Sequence, residues 1–194
     1  MTPVGVVLAG GAGRRMGGGK AAVLLDGVPL LHRVLAPLSA VTDAQAVVAR
    51  ADTQLPLLDP AVKVWREADD GPRHPAHGIA HAIERAGGRA VLCVAVDLPL
   101  LDAATLRVLL AGDDGRSPCV VARVAGELEP LCALWRPTAA ATLARAGKER
   151  MRQLVATLDP CVVDVPDPTR LTNVNTPDDL RRAQCILMGG TPGP

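Results

Sequence analysis

The sequence predicts an α/β protein: a three-layer α/β/α sandwich around a Rossmann-like, mostly parallel sheet with one short antiparallel excursion. Three observations predict it. Short β-branched runs recur between helix-like segments, the pattern of βαβ units. Several of these runs, residues 90–96 ("AVLCVAV") above all, are apolar at every position, as strands covered by helices on both faces are. At 194 residues, 48% apolar and 21% charged, the chain has ordinary globular composition, and a chain of this length buries roughly 70% of its unfolded surface.

In chain order, the first strand is "VGVVLA" at residues 4–9, which runs directly into a glycine-rich segment. A helix pattern at 29–38 leads to strands at 44–49 ("AQAVVA") and 62–65 ("VKVW"), and a second helix falls at 76–86. The strand at 90–96 precedes a helix at 103–110, for which Asp102 is the N-cap. The pieces "CVVARVAGE" and "ELEPLCALWRP" meet at Gly126 and form the antiparallel excursion. Helices at 137–146 and 150–158, a strand at 161–165 and a helix at 177–187 complete the pattern. Thr176 caps the last helix, Pro177 takes its first position, and Asp178 and Asp179 load its first turn against the dipole. With no repeat and no linker, residues 1–187 read as a single domain and 188–194 ("MGGTPGP") as a frayed tail.

Phe and Tyr are absent and there are two Trp, so the core must be aliphatic. With 21 basic and 20 acidic residues the net charge is +1; no global field holds a polyanion and no aromatic platform offers stacking, so nucleic acid is not an expected partner. Five cysteines without a CxxC pair read as reduced core thiols of a cytoplasmic protein. No apolar stretch approaches the ~18 residues of a membrane span, so no membrane partner is expected either.

The segment at residues 8–20, "LAGGAGRRMGGGK", raises the question of function. Glycines behind a buried strand let the backbone turn sharply and aim consecutive N–H groups at an anion. A Walker A loop is excluded by Arg14 at its first glycine and by Ala21 after Lys20. A dinucleotide fingerprint laid on Gly11 and Gly13 meets Met16 at its third glycine. What remains is a triphosphate cradle with Arg14, Arg15 and Lys20 as cations, set against a merely flexible turn. Asp97 follows the apolar strand and emerges at the carboxyl edge of the sheet, where α/β folds bind ligands. It is placed either to hold a magnesium ion, which favours one or two carboxylates plus phosphates, or simply to turn the chain. Asn173 and Asn175 lie two apart and share a face in extended backbone, either addressing the same site or ordering the entry to the last helix.

Three stretches together resemble a known family: Leu8, Ala9, Gly10, Gly11, Arg15, Met16, Gly17 and Lys20; then "VDLPLL" from Val96; then "TNVNTPDDL" from Thr172. In order and spacing they are similar to the nucleotidyltransferases that activate sugars and cofactors, and within these to the molybdenum cofactor guanylyltransferases. The resemblance implies transfer of GMP from GTP to the terminal phosphate of molybdenum-bound molybdopterin, with pyrophosphate leaving and Mg2+ as cofactor. It makes Lys20, Arg15 and Asp97 catalytic, with Asp97 the metal ligand. It assigns the nucleotide to Leu8, Ala9, Gly10, Gly11, Gly13, Lys20, Glu67, Gly78 and Asp97. Asn173, Asn175, Arg150 and Arg152 fall near the acceptor or metal, and Glu129-Pro130 near the acceptor. Expected partners are GTP, a molybdopterin-type phosphorylated acceptor and molybdoenzyme maturation proteins. Two alternatives stand beside it: a CTP-dependent or other small-acceptor enzyme of the same fold, and a non-catalytic nucleotide-binding protein.

The chain departs from the family's usual Gly-Pro-Leu-Ala-Gly helix entry: either His74, Pro75, Ala76 and His77 precede Gly78 in its place, or Gly71 and Pro72 take the Gly-Pro. His74, His77 and His81 have helical spacing, which suits either a metal site or pocket-lining and solvent-facing rings. Arg150 and Arg152 face either a substrate phosphate or water.

Overall fold

A computed structural model describes residues 2–10, 19–67 and 74–190. Seven strands form one sheet: β1 (Val4–Leu8), β4 (Gln45–Ala49), β5 (Lys63–Arg66), β6 (Val91–Ala95), β7 (Cys119–Val124), β8 (Glu127–Trp135) and β9 (Cys161–Asp164). Their spatial order is β5-β4-β1-β6-β8-β7-β9. Every neighbouring pair is parallel except β6 with β8 and β7 with β8, so β8 alone runs against the rest. The predicted mostly parallel sheet with one antiparallel excursion is therefore the observed one.

Alternation along the strands sends side chains into two apolar layers. Val7, Val47, Leu92, Val94 and Val120 pack with α1 (Leu30–Ser39), α3 (Ala103–Ala111) and α6 (Pro177–Leu187). On the other face, Val6, Val48, Trp65, Cys93, Val121 and Trp135 pack with α2 (Pro75–Arg85), α4 (Ala140–Ala144) and α5 (Met151–Ala156). No helix among the described residues is long and apolar enough to cross a membrane.

Two reversals explain local chain direction. Ala125 (φ 49°) and Gly126 (φ 84°) form the two-residue link between β7 and β8, and positive φ at both central positions is the turn that matches strand twist. The second was not anticipated: β2 (Leu24–Leu25) and β3 (Val28–Pro29) form a small hairpin over Asp26 (φ 52°) and Gly27 (φ 73°). Strands of two residues carry no readable periodicity. The helix expected at 137–146 begins instead as a 3-10 turn at Pro137–Ala139 and continues as α4, and the expected helix at 150–158 is limited to α5.

Within β8 the pairing with β7 shifts: Val121 lies opposite Ala133, yet the next residue, Ala122, lies opposite Glu129. The intervening Pro130 has no N–H to give a ladder, which suits an interruption of this kind. The irregularity places Glu129 where a regular strand would have put Cys132.

Candidate active site

Parallel strands end together, so the residues that follow β1, β4, β5 and β6 collect at one edge. Gly10, Arg50, Glu67 and Asp97 occupy these positions. The chain goes from β1 to β4 on one side and later to β6 on the other, making the β1/β6 boundary the switch point where such sheets open a crevice. Leu8 and Asp97 flank it, and the Val96 N–H donates to the Leu8 carbonyl at 3.1 Å.

Lys20 reaches this boundary from a 3-10 turn at Lys20–Ala22 that follows Gly19, whose φ of 66° suits glycine. Its Nζ donates to Asp97 Oδ2 at 3.0 Å and to Asn175 Oδ1 at 2.7 Å. The lysine is 7% exposed, so a nearly buried cation meets one carboxylate and one amide oxygen. The other carboxylate oxygen, Asp97 Oδ1, is buried and has no partner among the described residues. Buried charged oxygens are costly unless satisfied, so Oδ1 has capacity for a further donor or a cation.

Asn175 arrives by an independent route. The Val174 N–H donates to the Asp97 carbonyl at 2.8 Å, tying "NVN" alongside the end of β6. Val174 is fully buried while Asn173 and Asn175 are exposed, so the two amides do share the face opposite the core. The N-terminus of α6 fixes their spacing: Asp179 Oδ2 accepts from the N–H groups of Asn175 and Thr176, both at 2.9 Å, and Thr176 Oγ1 accepts from the Asp179 N–H at 3.2 Å. The first of these bonds, with the others of the box, holds the Asp179 carboxyl below its ordinary range.

A second wall is built around Glu67. A Cβ placed on Gly10 would come within 3.1 Å of Glu67 Oε2, and one placed on Gly78 within 3.3 Å of Glu67 Oε1 and 3.2 Å of Leu8 Cδ2. Leu8, Gly10, Glu67 and Gly78 therefore adjoin, and Ala9 is buried behind them. Gly11, Gly13, Arg14, Arg15, Gly71 and Pro72 lie outside the described residues.

Glu129, which the family resemblance set near the acceptor, lies within electrostatic reach of Asp97. Burial pushes the Glu129 carboxyl above its ordinary value and the charge of Asp97 adds to this, while Arg152 and hydrogen bonds from Asn173 and the Leu131 backbone oppose it. From the residues themselves, the signal for its burial was a glutamate inside the apolar run "ELEPLCALW". Arg152 is exposed and pairs with Glu127 at 2.5 Å, whereas Arg150 is exposed at the N-cap of α5. The histidines do not gather as metal ligands: His74 Nε2 lies 2.8 Å from the Glu149 carbonyl and His77 Nε2 lies 3.0 Å from the Ala146 carbonyl.

A glycine-led strand exit, a buried lysine and a strand-end carboxylate at the switch point suit the binding of a nucleoside triphosphate, as a nucleotidyltransferase requires. The chain belongs to the family described as the MobA-like NTP transferase domain, whose model matches residues 5–161. It is 36% identical over 203 residues to the molybdenum cofactor guanylyltransferase of Rhodobacter capsulatus, covering 99% of this chain and 100% of that one. With the protein of the same name from Cereibacter sphaeroides it shares 33% over 198 residues, covering 94% and 96%. The crystal structure of molybdopterin-guanine dinucleotide biosynthesis protein A from Archaeoglobus fulgidus has the same fold, with a TM-score of 0.75 at 24% identity over 96% of this chain and 99% of that one.

Proposed function

We propose that this chain transfers GMP from GTP to the terminal phosphate of molybdenum-bound molybdopterin in the cytoplasm, releasing pyrophosphate and passing the dinucleotide cofactor toward maturing molybdoenzymes. An acceptor phosphate oxygen attacks the α-phosphorus of GTP; the bond from that phosphorus to the α–β bridging oxygen breaks, and the electron pair leaves with pyrophosphate. The attacking oxygen is already ionised near neutral pH, so positioning and charge neutralisation, rather than a general base, carry the reaction.

The observation that carries the reading is the meeting of Lys20, Asp97 and Asn175 at the switch point. Lys20 neutralises phosphate charge as it neutralises Asp97 in the free protein. The glycine segment with Arg15 cradles the triphosphate, and Leu8, Ala9, Gly10, Glu67 and Gly78 wall the nucleoside. Asp97 suits a magnesium ion: its Oδ1 is an oxygen donor without a partner among the described residues, the donor class that this hard cation takes. When bound, magnesium would offset the charge of the phosphate oxygens. Asn173, Arg150 and Arg152 stand on the acceptor side. The Arg152 charge reaches Glu129, which hydrogen-bonds Asn173 and senses Asp97.

The test is pyrophosphate release on mixing the protein with Mg2+, molybdenum-loaded molybdopterin and either GTP or CTP. Release with GTP alone is expected; release with CTP alone would replace guanylyl by cytidylyl transfer, and no release with either would leave a nucleotide-binding protein without this activity.

A further inference from the structure

The first turn of α2 does more than start a helix. His74 is its N-cap, with Nδ1 accepting the Ala76 N–H at 3.2 Å. The same ring reaches the Glu149 carbonyl through Nε2 at 2.8 Å, and the Nε2–H tautomer satisfies both contacts. His77, three residues on and therefore on the same helix face, reaches the Ala146 carbonyl through Nε2 at 3.0 Å. The rings adjoin, with centroids 5.9 Å apart. Both carbonyls belong to residues 145–150, which join α4 to α5. That link is folded on itself by the Glu149 carboxylate, which accepts the Gly147 N–H at 3.1 and 3.0 Å. Two imidazoles thus clamp the link at two points, across separations of 69 and 75 residues.

What lies on either side of the clamp gives it meaning. One residue past His77, Gly78 abuts Glu67 and Leu8 in the nucleoside wall. At the far end of the link, Arg150 caps α5 and Arg152 follows on its first turn, while Leu154 and Val155 anchor α5 in the core. The clamp therefore ties the wall of the nucleotide pocket to the segment that presents the acceptor-side arginines.

We propose that His74 and His77 are positioning residues for the acceptor: by docking the 145–150 link on α2 they hold Arg150 and Arg152 at the distance from the nucleotide that the acceptor phosphate requires. The inference rests on the acceptor-side reading of those arginines. A hydrogen bond of this kind is worth about three- to tenfold in an equilibrium.

Three variants separate the roles. His74→Asn keeps a side chain that caps the helix but is too short to reach Glu149; His77→Leu removes the donor; His77→Gln restores an N–H of similar reach. Steady-state transfer is measured with GTP and acceptor varied separately, alongside amide exchange of residues 145–150. His74→Asn and His77→Leu are expected to raise the acceptor KM about three- to tenfold each. They should leave the GTP KM within about twofold and speed exchange in the link, and His77→Gln should recover most of the loss. Faster exchange with an unchanged acceptor KM, or parallel rises in both KM values that His77→Gln does not reverse, would overturn the proposal. Arg152→Ala and Arg150→Ala are the controls for the underlying reading. If neither raises the acceptor KM, that reading falls and the proposal with it; if one does and the histidine variants do not, only the proposal falls.

Discussion

At the scale of single residues, the contact between Lys20 and Asp97 serves both stability and chemistry. Replacing Lys20 by Met strands Asp97 Oδ2 and Asn175 Oδ1 without their donor, whereas Asp97→Asn leaves an amide oxygen able to accept from the same ammonium. Lys20→Met is therefore expected to lower the unfolding free energy by about 1–3 kcal/mol, the worth of a hydrogen bond to a charged, part-buried carboxylate. Asp97→Asn keeps an oxygen acceptor for Lys20 but removes the charge that pairs this nearly buried cation, so it too should lower stability. Both should slow GMP transfer by about 10²–10³, as loss of one preorganised charge at a reacting phosphate does. Urea unfolding and single-turnover transfer on the two variants check this; a stable Asp97→Asn protein with full turnover in Mg2+ would remove Asp97 from the mechanism. Lys20, Asp97 and Asn175 were legible because each ends a pattern the sequence displays: a glycine run, an apolar strand, an alternating Asn pair before a helix cap. Glu129 was legible only through the family resemblance, and its burial beside Asp97 was not, because that comes from a register shift in β8 that leaves no local trace.

At the scale of elements, α6 shows how a helix cap serves the site. Its start was readable from Thr176, Pro177 and the acidic first turn, and the observed bonds add a capping box that reaches the Asn175 N–H, so the helix start also sets the amide that meets Lys20. Thr176→Ala should cost about 1 kcal/mol of stability, the usual worth of a cap. Asp179→Asn should cost stability in a pH-dependent way. The Asp179 carboxyl is held low in the folded protein, chiefly by the Asn175 N–H, so the stability it contributes is present above its unfolded value and is lost as pH falls through the folded one. The gap between parent and Asp179→Asn in urea midpoint should therefore be full at neutral pH and close on acidification below the ordinary aspartate range; a gap independent of pH would mean that the charge is immaterial. Where elements escaped the sequence, their length explains it. The β2–β3 hairpin shows only its Asp-Gly turn, and α4 and α5 are too short for their ends to be set by periodicity.

At the scale of the molecule, the two apolar layers share the strands of one sheet, so neither layer keeps its floor if the other is lost. We propose on this ground that residues 1–187 unfold as one cooperative domain. Three cysteines report on it from both sides: Cys93 and Cys119 lie in the layer with α2, Cys132 in the layer with α1, and all three are fully buried. Burial pushes the Cys119 and Cys132 thiols up to about 12 and Cys93 in the same direction. Since the thiolate is the reactive form, none is labelled by a thiol reagent until the sheet opens. With reagent dilute enough that closing outruns labelling, the rate follows the open population. On the proposed function, GTP with Mg2+ binds the folded state alone and should reduce that population by the factor 1 + [L]/Kd, about a hundredfold when free ligand is 100 times Kd. Mass spectrometry of labelled peptides should show Cys93, Cys119 and Cys132 slowed together by that factor, while the half-buried Cys161 and Cys185 label at rates the ligand leaves largely unchanged. Slowing of Cys132 without Cys93 and Cys119 would mean that the face bearing α1, α3 and α6 opens by itself, and the single-unit proposal would give way to two layers that fold separately.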